Sequence, residues 1–161
     1  MSEIIIREIA PSDNRAIAKL IREVLVEFGA PKVGTAYEDS SLDVLSEVYD
    51  KQRAVYFVVE LNDQVIGGAG ISQLANTSED ICELQKMYFS PRARNKGLGT
   101  KLIQKCMQEA KKMGFNKCYL ETLPYMKSAI KLYQKTGFKL LDAPIGNTGH
   151  YSCTEWMLKE L

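Results

Sequence analysis

The chain has 161 residues, with 21 Lys+Arg against 20 Asp+Glu and a formal net charge of +1. That length suits a single domain over residues 1–161, and 45% hydrophobic with 25% charged residues marks a globular chain rather than a disordered one. The near-neutral balance argues against nucleic acid as a partner, and no apolar run is long enough for a membrane span, so any anion has to be captured by a local loop.

Cysteines at 82, 106, 118 and 153 form no C-x-x-C pair, which excludes the usual zinc and thioredoxin patterns; no metal is expected. The opening MSEIIIREIA has no basic stretch followed by a long apolar core. A cytoplasmic protein with free, mostly buried thiols is the expectation.

In chain order, 3–8 reads as a strand and Pro11-Ser12-Asp13 as a helix start. Ile17, Leu20, Ile21, Val24, Leu25 and Phe28 then recur at helical spacing until Gly29. Residues 30–41 read as a loop and 42–49 as a short helix. Strands at 54–61 and 64–74 are joined by an Asn62-Asp63 turn, and a third strand follows at 81–89. A helix from about 97 to 113 ends at Gly114, a strand occupies 117–123, and a helix at 125–135 stops at Gly137. Strands near 138–142 and 151–159 complete the order β-α-(α)-β-β-β-α-β-α-β-β. That order predicts an α/β (α+β) fold with a mixed central sheet and helices on both faces. The Gly67-Gly68-Ala69-Gly70 run, inside a strand, suggests a bulge or close packing.

The segment Ser90 to Thr100, SPRARNKGLGT, carries the chemistry. A strand ends, basic residues and glycines follow, and a helix begins. Free amides at a helix N-terminus attract anions, glycines at 97 and 99 let backbone approach a phosphate, and Arg94 and Lys96 add charge. The dinucleotide fingerprint fails because Leu102 stands at its third glycine position, and no Gly-Lys-Ser/Thr closes a P-loop.

Arg94-x-x-Gly97-x-Gly99, between a strand and an amphipathic helix, resembles motif A of the GNAT superfamily of N-acetyltransferases. Ala129-x-x-Leu132-Tyr133-x-x-x-Gly137-Phe138 resembles its motif B. The resemblance implies a GNAT-like, mostly antiparallel sheet with strands splayed beyond residue 89, between 83–89 and 117–122. It implies acetyl-CoA as co-substrate and transfer of acetyl to a primary amine of a small molecule or peptide by direct attack. A non-catalytic acyl-CoA-binding module on the same fold is the alternative. Arg94, Asn95, Lys96, Gly97, Leu98, Gly99 and Thr100 would then hold the CoA pyrophosphate. The backbone of Met87 and Phe89 would meet the pantetheine arm, with the Phe89 amide polarising the thioester carbonyl. Many relatives dimerise, so a homodimer is a further expectation.

Tyr133 matches the tyrosine that the family places near the CoA sulfur, and it shares a helix face with Met126, Ala129 and Ile130. Glu83 is the candidate base, with Glu121 and His150 as rivals. Strand alternation groups Glu83 with Gln85 and Met87, opposite Lys86, and an ion pair of Glu83 with Lys86 or Lys117 is its plain alternative. Met126 stands where many relatives carry a pantetheine-binding Asn; its thioether cannot replace an amide, which leaves Ser128 or backbone for that contact. Glu38, Asp39, Asp43, Glu47 and Asp50 with Tyr37 suggest an acidic acceptor rim.

Overall fold

The computed structural model describes residues 3–161. The strands are β1 (Ile4–Glu8), β2 (Val55–Leu61), β3 (Gln64–Gln73), β4 (Ile81–Phe89), β5 (Lys117–Thr122), β6 (Lys139–Leu141) and β7 (Glu155–Glu160). The helices are α1 (Asn14–Glu27), α2 (Leu45–Val48), α3 (Leu98–Lys112) and α4 (Lys127–Lys135). The element order is the expected one. Short 3-10 turns add to it: Ala36–Glu38 lies inside the segment read as loop, and Ser40–Val44 runs from that segment into the one read as a short helix. Among the described residues, seven strands form one sheet in the order β1-β2-β3-β4-β5-β7-β6, and only β4 and β5 run parallel. No helix among the described residues is long and apolar enough to cross a membrane.

β2 shows why the sheet needs helices on both sides. Val55, Phe57 and Val59 alternate with Tyr56 and Val58, and all five are buried. The first set packs with Leu98, Leu102, Ile103 and Cys106 of α3, the second with Ile17, Ile21, Val24 and Leu25 of α1. Removing one such side chain, for instance Leu102→Ala, costs about 2–5 kcal/mol because a cavity adds to the lost transfer energy. Cys82, Cys106 and Cys118 are buried free thiols, and Cys153 is half-buried.

Two departures from strand periodicity shape the centre of the sheet. Between the pairs Gly68–Tyr88 and Gly70–Gln85, one residue of β3 faces two of β4, and Lys86 takes a left-handed φ of 51°. This bulge corrects the expected faces. Gln85 and Lys86 both turn towards the α1 side, where Tyr49 and Asp39 meet them, whereas Met87 joins the α3 side. Met87 therefore does not share a face with Glu83.

The second departure concerns where the sheet splits. Parallel pairing of β4 with β5 stops at Glu83–Tyr119. The gap thus opens at Glu83 rather than beyond residue 89, because the bulge three residues on, at Lys86, turns β4 away from β5.

Candidate active site

Beyond Glu83 the β5-facing edge of β4 has no strand partner among the described residues. Ser90 N–H donates to the Ile66 carbonyl on the other edge at 2.8 Å. Antiparallel alternation then turns the backbone groups of Phe89 and Met87 towards the gap.

Into this gap opens a cleft of about 500 Å³, lined by Met87, Phe89, Arg94, Asn95, Gly97 to Thr100, Met126, Ser128, Leu132 and Tyr133, with Val24 of α1 and Phe28 just past its end opposite. The first turn of α3 carries no side-chain cap, so its leading amides are available to an anion. Gly97 precedes it with φ 71°, a conformation that only glycine adopts without strain. Gly99 has a different reason: a Cβ there would lie 2.5 Å from Leu132 Cδ2, so its absence lets α3 approach α4.

Of the three cations near motif A, only Arg94 lines the cleft. Lys96 is exposed and does not line it, and Arg92 donates to Gln64 at the start of β3. Arg94 is itself engaged, donating twice to the Glu27 carboxylate of α1 and once to the Phe89 carbonyl, with its guanidinium over the Phe28 ring.

Tyr133 is 7% exposed and lines both the cleft and a narrow throat that continues it past Met87, Tyr88, Met126, Leu123 and Cys153 to Glu121. Burial alone, with no charge or hydrogen bond beside it, pushes its hydroxyl pKa well up, so the proton stays on oxygen at neutral pH. The throat meets an outer pocket under the β6–β7 loop, lined by Glu121, Thr148, His150, Tyr151 and Cys153.

Behind Glu121 lies Glu83, 5% exposed. One ligand-type atom from each of Glu83, Glu121 and His150 falls within 4.8 Å of the other two. Neither ion pair offered for Glu83 forms: the Lys86 ammonium sits 3.3 Å from Asp39, and Lys117 is paired across from Glu160 at the far end of β5. Glu83 accepts instead from Gln85 Nε2 at 2.6 Å. Burial pushes its pKa up to about 7, with Gln85 and Lys86 pulling down and Glu121 pushing up. Glu121 accepts from Tyr119 Oη at 2.7 Å and from the Thr148 hydroxyl. These neutral donors already occupy the carboxylates, so the trio forms a polar wall and does not read as a cation cage.

His150 is held below the ordinary imidazole range by burial and by Lys86, against the pull of Glu121, Asp39 and Glu38. The expected acidic rim is largely consumed: Asp39 pairs with Lys86, Asp43 with Arg22, Glu38 accepts from the Gly34 amide, and Glu47 and Asp50 line a separate cleft.

No local pattern in the chain signals the convergence of Glu121, Tyr119 and Thr148, or the part of Glu27. Those contacts span 27 to 67 residues of chain, apart from the short-range Tyr119–Glu121 bond.

A family model described as "Acetyltransferase (GNAT) family" matches residues 18–138. The chain belongs to the GNAT family. Across 98% of its length it is 46% identical to an uncharacterized N-acetyltransferase, YjgM, of Escherichia coli K12, covering 95% of that protein. Its fold matches a GNAT acetyltransferase of Staphylococcus aureus Mu50 with a TM-score of 0.88, at 21% identity over 98% of this chain and 99% of that one. It also matches the PaiA N-acetyltransferase of Thermoplasma acidophilum, solved with coenzyme A, with a TM-score of 0.77, at 21% identity over 99% of both chains. The protein is thus a GNAT acyltransferase, and the splayed gap between β4 and β5 is the GNAT cleft.

Proposed function

We propose that this GNAT enzyme moves the acetyl group of acetyl-CoA to a primary amine of a small molecule by direct attack. The observation that carries this reading is the continuous passage from the α3 N-terminus, past the protonated Tyr133 hydroxyl, to the carboxyl of Glu121, with the buried Glu83 carboxyl close behind it. Family membership and the coenzyme A bound in the PaiA structure support acetyl-CoA as donor.

The residues fit that co-substrate. The amides of Leu98 to Thr100 with Arg94 suit a pyrophosphate, and the unpaired edge at Met87 and Phe89 suits a strand-like pantetheine arm. Ser128 lines the cleft beside Met126 and is the polar group available where relatives use Asn. Acetyl-CoA supplies an activated acyl thioester.

Around it the chain's own groups act on charge. The Phe89 amide is the donor for the carbonyl oxygen, and the Tyr133 hydroxyl gives its proton to the departing sulfur. Glu83, titrating at about 7, accepts the amine's proton directly or through water. Burial pushes the Cys153 thiol up to about 12, which keeps it protonated and supports direct attack over an acyl-cysteine route.

An amine panel with acetyl-CoA, followed by thiol release, tests the reading. Turnover with one amine class supports it. Thermal stabilisation by acetyl-CoA with no thiol release across the panel would replace it with a non-catalytic binding module.

A further inference from the structure

The glycine run of β3 and the bulge of β4 meet behind Glu83, and the acyl-transfer scheme uses neither. A Cβ on Gly70 would stand 2.6 Å from Tyr56 Cδ2 and 2.9 Å from Tyr49 Cε1, and one on Gly68 would stand 2.7 Å from Tyr56 Cε1. The missing side chains make room for two buried tyrosine rings whose centroids lie 5.2 Å apart.

Each tyrosine directs its hydroxyl at β4. Tyr56 Oη donates to the Lys86 carbonyl at 2.8 Å, fixing the bulge, and Tyr49 Oη donates to Gln85 Oε1 at 2.6 Å. A side-chain amide has one accepting end and one donating end. With Oε1 occupied by Tyr49, Nε2 is left to face Glu83, and it donates to Glu83 Oε1 at 2.6 Å.

We propose that Gln85, oriented by Tyr49, is a positioning residue that aims the Glu83 carboxylate and favours its ionised form. The consequence for turnover rests on Glu83 acting as the base; the electrostatic effect on Glu83 does not.

The groups facing Glu83 come from every surrounding element. Tyr49 and Gln85 stand on the α1 side, and Lys86 is on its own strand. Tyr119 and Glu121 reach it from β5, and His150 and Cys153 from the β6–β7 loop. Burial and Glu121 disfavour the carboxylate, while Gln85, ahead of Lys86, favours it, and the Lys86 charge is shared with Asp39. Gln85 holds Glu83 without carrying its proton, because a neutral amide has no readily exchanged acidic group to pass along.

The test reads Glu83 directly, by 13C-carboxyl NMR titration, beside the pH profile of kcat/KM. Gln85→Met keeps the length and removes the donor; it is expected to raise the Glu83 midpoint and the acid limb of the profile by about one pH unit. Tyr49→Phe removes only the hydroxyl and is expected to move both the same way by less, with KM for acetyl-CoA unchanged. A Glu83 midpoint that stays in place in both variants overturns the proposal, and Tyr49→Phe alone decides if Gln85→Met does not fold. An NMR midpoint that moves while the rate profile stays put supports the positioning role and overturns Glu83 as base.

Discussion

Arg94, in the loop before α3, forms two parallel hydrogen bonds to Glu27 at the end of α1, 2.6 and 2.8 Å long. The pair spans the two walls of the cleft and sets an internal carboxylate on the guanidinium proposed above for the pyrophosphate. Arg94 lowers the Glu27 pKa, so Glu27 stays charged and competes at neutral pH.

Glu27→Gln is therefore expected to tighten acetyl-CoA binding. Both side chains are partly exposed, so the ion pair is worth under about 1 kcal/mol, and the gain is about two- to five-fold in Kd. Titration calorimetry with acetyl-CoA checks this. Weaker binding in the variant would mean that Glu27 helps to place Arg94 rather than competing with the ligand.

Tyr133→Phe should lower kcat by about 10–1000-fold, because the only group lost is the hydroxyl, whose proton burial retains. Acetyl-CoA affinity should change little, since the ring keeps its edge contact with Phe138 at 6.0 Å. Steady-state rates with a Kd from thermal shift separate the two effects, and undiminished turnover removes Tyr133 from the chemistry.

Glu83 ties activity to pH with one sign and stability with the other. As a base it must be ionised, so kcat/KM should rise through about pH 7, and Glu83→Gln should flatten that limb. For folding, its pKa is raised from 4.5 to about 7. Its favourable contribution is complete below pH 4.5 and is lost as pH rises through 7. By that linkage the wild type forfeits about 3 kcal/mol by pH 9 that Glu83→Gln does not. Melting curves at pH 5 and pH 9 should show the variant gaining relative to wild type only at the higher pH.

Gly99→Ala tests the contact between α3 and α4. The added methyl would meet Leu132 Cδ2 at 2.5 Å, and overpacking costs about 1–3 kcal/mol against at most about 1 kcal/mol gained in helix propensity. Urea denaturation should show net destabilisation. Leu132→Ala in the same background should remove the clash, so the two changes should couple in a double-mutant cycle.

Much of the fold was legible in the sequence because its signals are local. A period of 3.6 located α1 and α3, the β-rich run at 54–61 marked β2, and Gly29, Gly114 and Gly137 ended α1, α3 and α4, each in the structure with positive φ. Motifs A and B likewise lie within short contiguous stretches, so the cleft residues Arg94, Asn95, Gly97 to Thr100 and Tyr133 could be named in advance, whereas Lys96, named with them, does not line the cleft. Local spacing failed at Met87, where one bulge residue shifts every later side chain of β4 to the other face.

The sequence by itself determined the element order, the two motifs and thereby the family, because each depends on neighbours along the chain. Only the tertiary structure decided the charge state and surroundings of the site. It paired Arg94 with Glu27, turned Arg92 and Lys96 away from the cleft, and consumed the acidic residues from Glu38 to Asp43 in local partnerships. It also buried Glu83 between Gln85 and Glu121. Local chain spacing cannot reveal those outcomes, because a carboxylate's proton affinity follows from burial and from charges brought close through space.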